Sequence, residues 1–214
     1  MVTIKIFVEG GTHPNNSNAA TVSNSSALRE SFNKIFNRIL EKETIRIECD
    51  MRGSWTSAVK DFKRDNSESR LILIDLDGPE DAKPTKLTQL QLEAHHERTF
   101  FMVQEMEGWI LAQLPEIQEG LKTRYSKTSA VELKEDELVK GRNAHEIQKP
   151  SRILDQILRK HFVIKNGENE KPLKYGKLKV APELILMLDL RKLANHFSDV
   201  ERLLLKIQSL STTE

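Results

Sequence analysis

Four aliphatic residues, Leu71-Ile72-Leu73-Ile74, run without a polar interruption into Asp75-Leu76-Asp77. An unbroken apolar run bounded by polar residues predicts a strand buried on both faces, here 71–77. Residues 2–8 alternate and then turn apolar, stopping at Glu9-Gly10-Gly11; they predict an interior first strand closed by a glycine turn. Ile45, Ile47 and Cys49 alternate over 44–49 as a second strand, and 99–104 reads as a fourth. Between the strands the period changes. Leu28, Phe32, Ile35, Phe36, Ile39 and Leu40 recur at helical spacing, predicting an amphipathic helix over 27–42, capped by Ser25 or Ser26 with Glu30 in its first turn. Trp55, Val59 and Phe62 predict a shorter helix over 54–63. Met106, Trp109, Ile110 and Leu114 mark another over 105–114, where Pro115 either ends it or opens a new turn. Strand, helix, strand, helix, strand is the order of a parallel sheet with helices on its faces.

The second half is different in kind. Residues 122–150 are polar and turn-prone. Ser151 is placed to cap a helix carrying Ile153, Leu154, Ile157, Leu158 and Phe162. Residues 164–177, with Asn166-Gly167-Glu168-Asn169, read as an exposed loop. Pro182 opens a helix with Leu184, Ile185 and Leu188, and a last helix over 198–208 carries Val200, Leu203, Leu204 and Ile207. The expected organisation is an α/β core over 1–121 and a mainly helical cover over 122–214.

Composition changes this picture little. The chain has 214 residues, 30% charged and 38% hydrophobic, which suits a soluble protein with a modest core. A net charge of +1 gives no global basic field to announce a nucleic acid, though a local patch remains open. One cysteine, Cys49, excludes an internal disulfide and any multi-thiolate metal site, as in a reducing cytosol. No apolar run approaches a membrane span, and the N-terminus lacks a secretory pattern, so a cytoplasmic protein is expected.

The chemistry lies at strand ends. In open α/β sheets ligands bind at the carboxyl ends of the strands. Glu9, Asp75 and Asp77 each follow an apolar strand, so a parallel sheet brings all three to one edge. Clustered carboxylates repel and raise one another's pKa, and a hard cation such as Mg²⁺ relieves that. The competing reading is an Asp that caps the next helix and a second in a turn. In the metal reading Asp75 and Asp77 hold Mg²⁺ or Mn²⁺, and Glu9 ligates it or moves a proton, as phosphoryl transfer needs. Glu107, at a helix start near the same edge, is a further ligand or simply a first-turn acid; Glu105 is a weaker candidate. Lys140-Gly141-Arg142-Asn143-Ala144-His145 is the basic counterpart. Its glycine lets backbone approach a phosphate, Arg142 binds bidentately, and His145 shuttles a proton or donates to the phosphate. The plainer reading is a solvated loop. His95 and His96 are neighbours on a helix and do not face each other. His13 follows Glu9 in an Asn- and Ser-rich loop over 12–26 that borders the site. His161 and His196 lie on helices with apolar stripes and read as structural.

The acidic pattern resembles the Toprim fold of topoisomerases, primases and some nucleases. There a glutamate follows the first strand and Asp-x-Asp a later one, as Glu9, Asp75 and Asp77 do here. The separation of about 66 residues is longer than in compact members. The chain also resembles, over nearly its whole length, a bacterial family catalogued as a domain of unknown function. The matching pieces are Val8-Glu9-Gly10-Gly11, Ile74-Asp75-Leu76-Asp77, Met106-Glu107-Gly108-Trp109-Ile110-Leu111-Ala112 and Lys140-Gly141-Arg142. That resemblance implies a Toprim-like, Rossmann-like fold and a Mg²⁺-dependent nuclease, the effector of an antiphage defence system, encoded beside an ABC-type ATPase. No P-loop and no Gly-x-Ser-x-Gly elbow is present, so any ATP is bound by another polypeptide. Two alternatives remain open: a non-catalytic partner of such an ATPase, with the 12–26 loop and the helical cover as its contact surface, and a small-molecule phosphohydrolase. Self-association into a homo-oligomer is also open.

Overall fold

The computed structural model describes residues 2–10, 19–40 and 45–212. The loop expected over 12–26 lies partly outside them, as does His13. Strand β1 (Val2–Glu9) is interior because Ile4, Ile6, Phe7 and Val8 are all buried. It is flanked in parallel by β2 (Ile45–Arg52) and β3 (Arg70–Asp75), with Ile6 opposite both Cys49 and Leu71. β4 (Thr99–Met102) completes a four-stranded, all-parallel sheet in the order β2-β1-β3-β4.

That order reverses direction at β1. Helix α1 (Ala19–Asn37) carries the chain outward to β2; α2 (Trp55–Phe62) brings it back past β1 to β3. Helix α3 (Lys83–Leu90) then leads on to β4. Parallel crossovers take one hand, so opposite directions of travel put α1 and α2 on opposite faces. This doubly wound, Rossmann-like arrangement has its switch point between the carboxyl ends of β1 and β3.

The helix boundaries depart from expectation in instructive ways. α1 begins at Ala19, so Ser25 and Ser26 lie inside it rather than at its start. Its first two turns carry alanines and small polar residues, which allow a helix without leaving an apolar stripe to detect. α2 is capped by Ser54, whose Oγ accepts from the Ser57 amide at 3.3 Å. Its Trp55, assigned to the apolar stripe, is instead exposed. On the outer edge of β2, Asn37 bonds both the amide and the carbonyl of Ile47, and Asn33 accepts from Cys49, so side chains of α1 cover part of an open edge.

The second half contains more than helices. After α4 (Glu107–Leu111) and α5 (Leu114–Lys122), the strands β5 (Ser126–Lys127), β6 (Phe162–Asn166) and β7 (Asn169–Pro172) form a small antiparallel sheet. The segment expected as an exposed loop is thus a hairpin, turning at Gly167 with φ +63°. From Ile164 onward its residues are solvent-facing and mostly polar, with Lys165 paired to Glu170 at 3.3 Å, so no alternation marks it. Helix α6 (Pro150–His161) is not capped by Ser151. The Ser151 amide instead donates to Glu105 Oε2 at 3.2 Å, a cap supplied from across the fold. α7 (Ala181–Leu186), α8 (Leu190–Ala194) and α9 (Ser198–Thr212) follow. α7 packs against α1, and α9 against β4 and α8. Buried residues from both halves form one continuous core. No helix among the described residues is long and apolar enough to cross a membrane.

Candidate functional site

The switch point collects the acids. Glu9 is the last residue of β1, and its side chain is half-buried. Gly10 follows at φ +134°, where a Cβ would come within 2.9 Å of Met51 Cε, so the turn after Glu9 requires glycine. Asp75 ends β3 and is 5% exposed. The chain continues as an irregular ladder: Leu76 N donates to Met102 O, Asp77 N to Gln104 O, and Gln104 N to Gly78 O. Asp77 and Gln104 both take left-handed backbone, at φ 55° and 61°. This bend turns Asp77 out of the sheet, leaving its side chain 60% exposed while Asp75 stays buried.

Each acid meets a distinct partner. Asp75 Oδ1 accepts from the Met106 amide at 2.9 Å, and Oδ2 from Lys177 Nζ at 3.1 Å. Asp77 Oδ2 accepts from Lys86 Nζ, on α3, at 2.8 Å. Glu107, in the first turn of α4 and 1% exposed, accepts the Tyr175 hydroxyl on Oε1 at 2.5 Å. At this edge two buried carboxylate oxygens, Glu9 Oε2 and Glu107 Oε2, have no hydrogen-bond partner among the described residues.

The electrostatics tie the group together. Burial, then the charges of Asp75 and Asp77, push Glu9 up to about 7, against the pull of Lys86 and Lys177. Burial also raises Asp75 and Glu107, with Lys177 opposing both shifts. Lys177 itself is held above the ordinary lysine range: burial works against its charge, but Asp75 and Glu107 outweigh it. The three acids expected at one rim therefore do feel one another, and Glu107 joins them through Asp75 and Lys177.

Oxygen-only donors suit Mg²⁺ or Mn²⁺. Four carboxyl groups face two ammonium groups at this edge, and two of the carboxyl oxygens are unpartnered. No three His, Cys, Asp or Glu side chains among the described residues, however, stand together to hold a metal ion. The donor types suit a hard cation, but their arrangement does not gather them as its ligands: Asp75 is bonded to Lys177 and Asp77 to Lys86.

The basic segment is divided. His145 lines a cavity of about 600 Å³ beside the acids, together with Asp77, Gly78, Glu80, Gln104 and Glu105. Lys140 is exposed and paired with Glu135 at 3.0 Å; Arg142 donates to the Leu138 carbonyl at 3.0 Å; neither lines that cavity. His95 packs edge-on against Phe62 at 5.5 Å and bonds Arg98, a structural role. His161 is buried against Asp136 at 2.7 Å, as its stripe implied, whereas His196 is exposed.

Lys86, Tyr175 and Lys177 were not found from the sequence. The one available signal was Tyr175-Gly176-Lys177, an aromatic, a glycine and a cation outside any apolar period, in a stretch with lysines on both sides. Loop residues of this kind are disproportionately functional, but composition alone does not separate them from solvated neighbours. No family model, curated protein or solved structure matches the chain, so its chemistry rests on its own residues.

Proposed function

We propose that the chain is a Toprim-like, Mg²⁺- or Mn²⁺-dependent nuclease that hydrolyses a phosphodiester at the β1–β3 switch point. The observation that carries the reading is the electrostatic union of Glu9, Asp75 and Asp77 at the carboxyl edge of a doubly wound sheet. Asp75 and Asp77, assisted by Glu107, would hold the cation, which supplies charge neutralisation and acidifies bound water. Glu9 does the proton work. With a pKa near 7 it is present in both forms at neutral pH, so it can take a proton from the attacking water and return one to the leaving oxygen. Lys86 and Lys177 supply positive charge where a phosphate would lie. His145, in the cavity wall next to Asp77, is the part of the basic segment best placed to meet substrate.

The resemblance also favours a role as effector of an antiphage system. The same resemblance implies an ABC-type ATPase as partner, which would be a separate polypeptide because this sequence carries no P-loop. The test is cleavage of DNA, RNA and tRNA with Mg²⁺ or Mn²⁺ by the wild type and by Asp75→Ala plus Asp77→Ala. Loss of cleavage in a folded double mutant is the expected result; full cleavage by that mutant, or none by the wild type with any of the three, removes the proposal.

One observation favours the second reading, a non-catalytic partner of the ATPase: both aspartates already carry lysines. Calorimetry with Mg²⁺ separates the two, because that reading expects no metal binding at millimolar concentration while the complex still forms.

A further inference from the structure

The cavity of about 600 Å³ is walled by residues that follow β3, residues that follow β4 and residues that precede α6. Gln104, only 8% exposed, is the buried member of that wall. Its backbone is fixed, the amide donating to Gly78 O and the carbonyl accepting from Asp77 N. Its side-chain amide bonds to no described residue, and neither polar atom is sealed in the interior, so the group opens on the cavity. A buried amide without a partner is costly, and folded chains keep few of them. Four acids share the wall: Asp77, Glu80, Glu105 and Glu146. One oxygen of each is engaged. Asp77 Oδ2 takes Lys86, Glu80 Oε1 takes Lys83 and the Ser198 hydroxyl, Glu105 Oε2 takes the Ser151 amide, and Glu146 Oε1 takes Asn143. The second oxygen of each bonds to no described residue. Even with Lys83, Lys86 and Lys149 counted, acids outnumber lysines here. His145, also in the wall, adds charge only when protonated.

From this wall we infer that the cavity binds a guanidinium group, carried by a free small molecule or by an arginine side chain of a partner protein. The inference stands apart from the metal-dependent reading. A guanidinium spreads its positive charge over several N–H donors in one plane and has no acceptor. It complements a wall whose free groups are mostly acceptor oxygens, with the Gln104 carbonyl as a neutral one among the carboxylates. Its separated donors can meet acceptors too scattered for a single ion, and no three metal-ligating side chains stand together among the described residues. An ammonium concentrates its charge on one nitrogen and meets fewer of these oxygens at once. An anion fits worse still. The helix N-terminus at the cavity, that of α6, has no amide to offer. Pro150 lacks one, Ser151 gives its own to Glu105, and Arg152 donates to the Lys149 carbonyl.

The experiment is calorimetry on the full chain with two guanidinium probes, agmatine and Nα-acetylarginine amide. The controls are Nα-acetylcitrulline amide, a neutral isostere, and Nα-acetyllysine amide, which keeps the charge. The arginine probe is expected to bind, the citrulline probe roughly tenfold or more weakly, and the lysine probe in between. Gln104→Met keeps the length of the side chain and removes its amide; it is expected to weaken the arginine probe about tenfold. Glu146→Gln, at an exposed position, is expected to weaken it severalfold. In isotope-labelled wild type, the NMR signals of the Gln104 side-chain amide are expected to shift on saturation with the arginine probe, a readout that stands even if neither variant folds. Binding of agmatine alone assigns the pocket to a free small molecule; comparable binding of both guanidinium probes assigns it to an arginine in a protein chain; either supports the inference. It is overturned if neither guanidinium probe binds at millimolar concentration, or if the citrulline or lysine probe binds as tightly as the arginine one. Arginine binding that leaves the Gln104 amide signals unmoved, or that is unchanged in both folded variants, overturns it as well.

Discussion

Replacing Glu9 by glutamine should stabilise the protein, and only above about pH 5. Glu9 keeps its proton in the folded chain up to about 7, whereas the same group in an unfolded chain releases it near its ordinary 4.5. Between those values the folded state binds more protons than the unfolded one, so stability falls as pH rises. The full gap corresponds to ~3 kcal/mol at ~1.36 kcal/mol per pH unit. Because the side chain is partly exposed, solvent screening lowers this to about 1–2 kcal/mol. Glutamine carries no charge to desolvate, and Oε2 has no partner to lose. In urea denaturation with a chelator present, Glu9→Gln is therefore expected to exceed the wild type by about 1–2 kcal/mol at pH 8 and to equal it near pH 4. A chain of this size should show the gain as a rise of roughly 2–8 °C in melting temperature. An equal difference at both pH values, or a less stable variant at pH 8, would refute the account of Glu9 as a buried acid strained by Asp75 and Asp77. Adding Mg²⁺ should stabilise both proteins, because Asp75, Asp77 and Glu107 remain in the variant.

Gly10→Ala should cost about 1–3 kcal/mol, since its φ of +134° and the 2.9 Å approach to Met51 Cε both oppose a side chain; thermal denaturation checks it, and an unchanged melting temperature would contradict the turn. Glu105→Ala should lose about 1 kcal/mol by stripping the start of α6 of its acceptor. Its signature is faster hydrogen exchange at Ser151 and Arg152 with the sheet amides unaffected.

Only part of the site was legible along the chain. Glu9, Asp75 and Asp77 could be found because each stands where an apolar run stops, and in a parallel sheet such runs all point the same way. Glu107 was visible as the first-turn acid of a helix following a strand. The lysines were not. Lys86 reaches Asp77 from α3, a helix of mixed polar residues with no apolar period, and Lys177 comes from 102 positions beyond Asp75. Lys140 and Arg142 stood out through local charge density, yet their partners are Glu135 and a nearby carbonyl.

What the sequence determined by itself was everything carried by a period or by its end: the four buried strands, the amphipathic stripes of α2, α6 and α9, and the acids at strand termini. Tertiary structure decided what depends on partners distant in the chain. It set the strand order that makes β1 and β3 the switch point, supplied the Glu105 cap of α6, paired the polar hairpin β6–β7, and laid Tyr175 and Lys177 over the carboxylates. The physical reason is the same in each case. Burial of an apolar face leaves a regular trace in neighbouring residues, whereas a charge–charge contact or a borrowed hydrogen bond is satisfied by whichever group the fold brings near.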